Sequence, residues 1–173
     1  NCCGADLYKY ENGKQKLLRS ITPEIDITKG GYSAEVDMYD DTEKDIILYT
    51  SCHATLKDIF IGVPKGCYLR EAENNYTYKK PVVFYGSSIT QGACASRAGN
   101  TYENILSRRM NFDYLNLGFA SGAKAEETII DYLGTLDMKL LVFDYDHNSK
   151  TPKHLAETHY PALERFRRVQ SET

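Results

Sequence analysis

Three short apolar runs, each followed by a loop and a helix-like segment, constrain the fold of this chain more than any other feature. The runs are Val82 to Gly86, Tyr114 to Gly118 and Leu140 to Tyr145. Short continuous apolar runs are typical of strands buried on both faces. Strands that alternate with helices favour a parallel, doubly wound sheet with right-handed crossovers. We therefore predict an α/β fold for residues 80–173.

Helix signals occupy the segments between these runs. Asn100, with Glu103 three residues later, predicts a capping box at the start of the first helix. A second helix is predicted from about Lys124 to Leu133, with a stop at Gly134. The apolar face predicted for the first helix consists of Tyr102, Ile105, Leu106 and Met110. A third helix is predicted to begin at Thr151-Pro152 and to end or kink at Pro161.

The chain before residue 80 has a strand-like pattern with a period near two and little helical signal. We predict an antiparallel sheet or sandwich over residues 1–79, with the joint between the two parts at about Asn74 to Pro81. The strand-like segments are Ile25 to Thr28, Ser33 to Tyr39, Lys44 to Thr50 and Leu56 to Val63.

Composition excludes several classes of function. The 173 residues are 42% apolar, which is enough for a hydrophobic core. The net charge of −3 does not indicate binding to nucleic acid or to an anionic membrane. No apolar stretch approaches the roughly 20 residues that cross a bilayer. The five cysteines and four histidines form no zinc-like spacing. We expect no metal or cofactor. A Cys52–Cys67 bridge is conceivable, but nothing in the sequence fixes the distance between the two residues.

The loop from Gly86 to Gly92, Gly-Ser-Ser-Ile-Thr-Gln-Gly, directly follows the first apolar run. It does not match a P-loop, because the glycines are six positions apart and Ala93 follows the second. It also lacks the GxGxxG dinucleotide fingerprint and, with Thr90 at the last position, the GxSxG elbow. A serine in a small-residue loop after a buried strand can present a nucleophile. The loop therefore indicates acyl-transfer chemistry.

This loop resembles the first sequence block of the SGNH (GDSL-type) hydrolases, and three further segments extend the resemblance. They are Cys94 to Tyr102, Asn116 to Gly122 and Asp144 to Asn148. The resemblance implies a flavodoxin-like parallel sheet, here with only three strands, and Ser88 as the nucleophile. Ser87 replaces the aspartate of the commonest form. Gly4-Ala5-Asp6-Leu7-Tyr8 resembles the GxDLY signature of a β-rich module that precedes some of these hydrolases.

Ser88, Gly118 and Asn148 each follow the carboxyl end of a predicted strand, where open parallel sheets bind their ligands. We expect the fold to gather them into one cleft. The Gly118 and Ser88 N–H groups and the Asn148 amide would then stabilise the oxyanion of an attacked ester. Turn or cap roles remain open for all three residues. Cys94 is expected to be an inert packing residue. Asp144 and Asp146 are expected to be solvated turn residues rather than an acid/base pair.

A serine nucleophile needs a base within hydrogen-bond reach, and the family's late DxxH block occurs nowhere in this chain. None of the four histidines, His53, His147, His154 and His159, is a convincing base. The third strand would also leave an apolar sheet edge uncovered. We therefore expect a fragment that lacks the catalytic Asp and His and has little activity alone. The uncovered edge makes self-association possible.

The predicted function is a serine esterase or acylhydrolase that acts on an ester of a small molecule or acylated carbohydrate. An alternative from another class is a non-catalytic carbohydrate-binding or assembly module, supported by the missing base and by the aromatic-rich first half. No partner nucleic acid or membrane is expected. The odd number of cysteines slightly favours the cytoplasm, and export stays possible if an upstream signal is removed.

Overall fold

A computed structural model describes residues 4–23, 30–73 and 76–170. The chain divides into two compact units, and each is described by itself. The first unit comprises residues 1–75 and 95–100, and the second comprises residues 76–94 and 101–173. The predicted domain division at residues 79 and 80 stays a prediction, because units defined by contacts need not be domains.

The first unit contains a three-stranded antiparallel sheet with β1 in the middle. The strands are β1 (Ala5–Glu11), β2 (Lys14–Ile21) and β3 (Ile46–Tyr49). Asn12 and Gly13 both have positive φ, 52° and 74°, so they form the tight two-residue turn that suits the twist of a hairpin. The predicted antiparallel sheet is therefore present, as one sheet rather than a sandwich among the described residues.

The remainder of the first unit is largely irregular. Of the predicted strands, only Lys44 to Thr50 contains one, β3. The predictions for Ser33 to Tyr39 and Leu56 to Val63 were wrong, because neither segment forms a strand. Both segments are mostly exposed, so their alternating pattern does not correspond to a buried face. Ile25 to Thr28 lies outside the described residues.

The second unit contains the predicted parallel sheet of three strands. They are β4 (Val82–Gly86), β5 (Tyr114–Gly118) and β6 (Leu140–Asp144), in the order β5-β4-β6. All five residues of the central strand β4 are buried, which explains its continuous apolar sequence. Gly86 pairs with Gly118 on one side and with Asp144 on the other, so the carboxyl ends of the strands meet at one edge.

Helices cover both faces of this sheet, which confirms the predicted α/β class. They are α1 (Ser88–Gln91), α2 (Tyr102–Met110), α3 (Glu127–Thr135) and α4 (Pro152–Val169). Val83 and Tyr85 pack in a core with residues of α3 and α4, such as Ile130 and Phe166. Val82 and Phe84 point to the opposite face, where they form a second core with Tyr102 of α2 and with Phe112, which follows α2.

The start and the buried face of α2 differ from the prediction. Thr101, not Asn100, is the N-cap, and its hydroxyl accepts the Asn104 N–H at 3.3 Å. Asn100 instead donates its amide to Ser96 Oγ. The buried residues of α2 are polar, and they are Glu103, Asn104 and Ser107. Leu106 and Met110, predicted to be buried, are exposed. Asn104 and Ser107 form hydrogen bonds on this face, whereas both Glu103 carboxyl oxygens are buried without one among the described residues, and hydrophobic periodicity cannot find such a polar face.

Two further helix boundaries differ from the prediction. Helix α3 begins at Glu127, because Ala125 adopts a left-handed φ of 59° and donates its N–H to the Tyr85 hydroxyl. Burial raises the pKa of Tyr85 to about 12. Helix α4 was predicted to end or kink at Pro161, and it does not end there but continues to Val169. Its residues after Pro161 are anchored by burial of Phe166 and by ion pairs from Arg165 to α3, and this tertiary packing outweighs the helix-breaking preference of proline.

Candidate active site

Ser88 is the first residue of α1, directly beyond the carboxyl end of the central strand β4. Ser87 caps this helix, since its buried hydroxyl accepts the Ile89 N–H at 3.2 Å. The neighbouring Ser88 is partly exposed. Within residues 4–23, 30–73 and 76–170, no hydrogen bond engages its hydroxyl. One serine of the pair therefore builds the turn, and the other is available for chemistry.

The turn lies unusually close to the sheet. A Cβ atom at Gly86 would lie 2.1 Å from Thr90 Oγ1 and 2.5 Å from the Asp144 carbonyl oxygen. The Ser87 N–H donates to the same carbonyl oxygen at 3.1 Å. Only glycine fits at position 86, and its absence of a side chain lets α1 pack directly onto β4 and β6.

Gly118, the last residue of β5, also packs against α1. Its N–H donates to Asn116 Oδ1 at 2.8 Å, and Asn116 Nδ2 donates to the Thr90 carbonyl oxygen at 2.6 Å. The Asn116 side chain thus joins the end of β5 to α1. Because the Gly118 N–H is already engaged in this structure, its predicted role in an oxyanion hole stays a prediction that requires this hydrogen bond to exchange.

Asn148 lies in a short 3-10 turn (Asp146–Asn148) that follows β6. Its side-chain Nδ2 donates to the Phe119 carbonyl oxygen at 3.1 Å, which joins the loop after β6 to the loop after β5. Gln91 Oε1 of α1 accepts the Ala120 N–H of that second loop at 2.9 Å. The structure therefore brings the segments that carry Ser88, Gly118 and Asn148 to one edge of the sheet. An amide group has two N–H donors, so Asn148 retains one for a ligand.

A buried polar network lies behind α1. Thr90 is fully buried, accepts a hydrogen bond from the Tyr102 hydroxyl at 3.2 Å, and lies 3.4 Å from Asp144 Oδ2. Burial, together with the adjacent Asp146 carboxyl, raises the pKa of Asp144. Burial also raises the pKa of Glu103, which is the neighbour of Tyr102 in α2. Asp144, the last residue of β6, therefore packs against the turn that carries Ser88, so the expectation of a solvated turn residue was wrong.

The histidines lie in varied surroundings. His53 and His147 are exposed. His154 Nδ1 lies 2.9 Å from Ser149 Oγ, and the ring of His159 stacks on Tyr145 with 5.8 Å between the ring centroids. Across the described ranges, no histidine forms a hydrogen bond with Ser88. The prediction that none of them is the catalytic base remains a prediction.

Several general properties of the described residues bear on function. In the parts of the chain that the structure describes, no helix is both long and apolar enough to cross a bilayer. Outside the undescribed gaps, no three His, Cys, Asp or Glu side chains cluster as metal ligands would. The conceivable bridge between Cys52 and Cys67 does not form in this structure.

The sequence analysis missed three residues that assemble this edge: Thr90, Gln91 and Asn116. For Asn116 a signal was present, because a single polar residue interrupts the apolar run of a buried strand. Thr90 and Gln91 gave no comparable signal. Both belong to the loop that was singled out, but neither stands out within it by polarity or spacing.

Comparisons with known proteins agree with this arrangement. The family model for GDSL-like lipases/acylhydrolases matches residues 79–173, more than half of the chain. A crystal structure described as that of a candidate GDSL-like lipase from Bacteroides ovatus ATCC 8483 is similar, with a TM-score of 0.87 and 31% sequence identity. The similarity covers 98% of this chain and 49% of that one, so this chain spans about half its length. A search of curated proteins found no match. The chain belongs to the GDSL-like lipase/acylhydrolase family.

Proposed function

We propose that this protein is a serine ester hydrolase in which Ser88 is the nucleophile, and that its substrate is an ester of a small molecule or an acylated carbohydrate. The observation that carries the proposal is the position of Ser88, at the start of a tightly packed turn beyond the central strand, with no hydrogen bond to its hydroxyl in the described residues. Family membership supports the reaction class. It does not favour a non-catalytic binding module.

The proposed reaction proceeds through an acyl-enzyme. Ser88 Oγ forms a bond to the ester carbonyl carbon, and the hydroxyl proton passes to a general base. The bond between the carbonyl carbon and the alkoxy oxygen then breaks, and the base returns the proton to the departing alcohol. A water molecule attacks the acyl carbon in the second half of the cycle and releases the carboxylic acid and free Ser88.

Two N–H groups support stabilisation of the intermediate. The Ser88 N–H, at the first position of a helix, has no acceptor within that helix. Asn148 keeps one amide hydrogen beyond its bond to the Phe119 carbonyl oxygen. Donors of this kind lower the barrier where negative charge develops on the carbonyl oxygen. Gly118 would join them only if Asn116 released its N–H.

The general base is proposed to lie outside the residues described above. The His154 ring contacts Ser149 Oγ, and the His159 ring is stacked against Tyr145. We therefore propose that the 173-residue chain alone hydrolyses esters slowly, since an unassisted serine hydroxyl is a weak nucleophile at neutral pH.

The test is hydrolysis of p-nitrophenyl acetate by the protein expressed from its complete reading frame. Ser88→Ala is expected to lower kcat by more than about a thousandfold, because no other group can form the acyl-enzyme. Asn148→Ala is expected to lower kcat by about a hundredfold or more through loss of one oxyanion donor. Ser33→Ala, at an exposed serine of the first unit, is the matched control and should retain wild-type rates.

Equal rates for wild type and Ser88→Ala would exclude Ser88 as the nucleophile. Mass spectrometry after a short incubation with the ester gives an independent check. An acetyl group should be found on the peptide that contains Ser88, and acetylation confined to another residue would contradict the assignment.

A further inference from the structure

The Gly4-Ala5-Asp6-Leu7-Tyr8 motif has no role in the proposed reaction, yet its acidic residue is buried. Asp6 lies in the central strand β1 of the first unit and is 1% exposed. Its Oδ2 atom accepts the Gly99 N–H at 2.8 Å, across 93 positions of sequence. Burying a carboxylate is costly unless hydrogen bonds compensate for the lost water. The Gly99 N–H is therefore a specific partner rather than a chance neighbour.

A second residue of the same loop completes the contact. Arg97 Nε lies 3.1 Å from Asp6 Oδ2, an ion pair whose alignment falls short of a hydrogen bond. The Arg97 guanidinium also donates to the Tyr8 hydroxyl at 3.3 Å. Hydrogen bonding to Tyr8 and the nearby Asp6 charge raise the pKa of Arg97. Asp6 and Tyr8, two residues of one motif, thus hold one short segment of chain.

The fit around Gly99 is steric as well as polar. A Cβ atom at Gly99 would lie 2.8 Å from a ring carbon of Tyr8 and 2.9 Å from Asp6 Oδ2. Ala98, the preceding residue, is 1% exposed. The motif glycine has a separate role, because a Cβ at Gly4 would lie 2.2 Å from the Ile21 carbonyl oxygen of β2. Gly4 allows close packing against β2, and Asp6 and Tyr8 contact Gly99 and Arg97 of the loop.

The loop Ala95–Asn100 occupies a particular place in the chain. It belongs to the first unit, but the residues on either side of it, Cys94 and Thr101, belong to the second. Thr101 caps α2, and the next residue, Tyr102, donates its hydroxyl to Thr90 in the turn that carries Ser88. A displacement of the loop would therefore be transmitted along the chain to the start of α2 and to the support of α1.

We propose that Asp6 is a positioning residue: it holds the loop Ala95–Asn100, and through the loop it sets the start of α2 and the placement of Ser88. This assigns a function to the β-rich motif, which is to hold a loop that interrupts the hydrolase sequence. The effect on Ser88 rests on the proposed function. The hold on the loop does not, and the two are measured separately.

The first experiment is limited proteolysis with trypsin, followed by mass spectrometry. The bond after Arg97 is protected while the loop is held, and Asp6→Asn should speed its cleavage by about tenfold or more, because hydrogen bonds to charged groups are among the stronger ones. Cleavage after Lys65, in an exposed irregular segment, is the internal reference and should not change. Glu11→Gln, which alters a charged residue of the same strand paired with Lys9, is the matched control.

Cleavage after Arg97 within about twofold of the wild-type rate in Asp6→Asn would overturn the proposal, since cleavage tracks the population of the open loop. If Asp6→Asn fails to fold, Gly99→Ala replaces it. That substitution leaves Asp6 in place and forces the loop away from Tyr8, so the same acceleration is expected. An unaccelerated Gly99→Ala would overturn the proposal equally.

The second experiment measures p-nitrophenyl acetate hydrolysis by the protein from its complete reading frame. Asp6→Asn should lower kcat by about tenfold with KM unchanged, because a misplaced nucleophile slows chemistry more than binding. A loss of stability alone would lower only the fraction of folded enzyme, which the melting curve reports. It would not lower kcat per folded molecule. Faster loop cleavage with unchanged kcat would refute the positioning of Ser88. An inactive wild type would instead refute the proposed function, and the proteolysis result would still stand.

Discussion

Substitution of Gly118 by alanine tests how closely α1 packs on the sheet. The added Cβ atom would lie 2.1 Å from Gln91 N, 2.5 Å from Gln91 Cα and 2.6 Å from the Thr90 carbonyl carbon. All three are backbone atoms, so no change of rotamer can relieve the contact. Ordinary contact begins at 3.4 Å, and α1 must therefore move by more than 1 Å. We expect a loss of about 3 kcal/mol in the free energy of unfolding, at the upper end for an overpacked site.

The assay is thermal unfolding followed by circular dichroism. A loss of that size corresponds to a decrease in Tm of roughly 10 °C for a chain of this length. Gly122→Ala, in the loop that follows β5, is the matched control, because its nearest contact is a side-chain atom, Phe119 Cβ, at 3.2 Å. Its Tm should remain within about 2 °C of wild type.

The result also separates two interpretations of Gly118. Alanine keeps the backbone N–H, so a residue needed only as an oxyanion donor would tolerate the substitution without loss of stability. A Tm for Gly118→Ala that equals that of Gly122→Ala would refute the close-packing argument. A large decrease would identify Gly118 first as the contact surface for α1.

Two further predictions concern charge and association. Because burial raises the pKa of Glu103, the free energy of unfolding of the wild type should fall as the pH rises above the ordinary Glu pKa of 4.5. Glu103→Gln should therefore have a higher Tm than wild type at pH 8, and the two Tm values should converge at pH 4. A higher Tm for the wild type at pH 8 would contradict this. Self-association through the edge strand β6, where Leu140 is 52% exposed, should appear in sedimentation velocity and decrease in Leu140→Lys. Leu115→Lys, at an exposed residue of β5, is the control. Equal association of Leu140→Lys and Leu115→Lys would exclude β6 as the interface.

The parallel sheet could be predicted from the sequence because each of its strands is a short apolar run, although only the central strand β4 is buried throughout and β5 and β6 are partly exposed. The predicted limits of β4 and β5 agree with the structure. The limits of β6 differ by one residue, since Tyr145 follows the strand. Segments such as Leu56 to Val63 were assigned as strands on an alternating pattern instead, but they are exposed and form no strand.

The packing of α2 could not be predicted, because its buried face is polar. Ser107 donates to the Phe112 carbonyl oxygen at 2.6 Å, and Asn104 accepts the Tyr114 hydroxyl. A hydrophobic pattern assigns such residues to the solvent side. Their burial depends on partners that are supplied by the tertiary structure and are invisible along the chain.

The candidate site was predictable in outline and not in detail. Parallel pairing alone places Gly86, Gly118 and Asp144 at one edge, so the convergence of Ser88 and Asn148 followed from topology. The engagement of the Gly118 N–H by Asn116 depends on a side-chain rotamer. No pattern of residue types specifies that rotamer, and the engagement of the Gly118 N–H is therefore a property of the folded structure.

The loop held by Asp6 has a consequence for the order in which the chain folds. The first unit is built from two segments of sequence, and the second of them ends at Asn100. During synthesis, β1 would emerge long before Gly99, and the Asp6 carboxylate would stay hydrated until a loop of more than 90 residues had closed. Completion of the first unit is then a late event that requires the segment Ala95–Asn100, and the β-rich sequence expressed up to residue 79 alone would lack the partner of its buried acid.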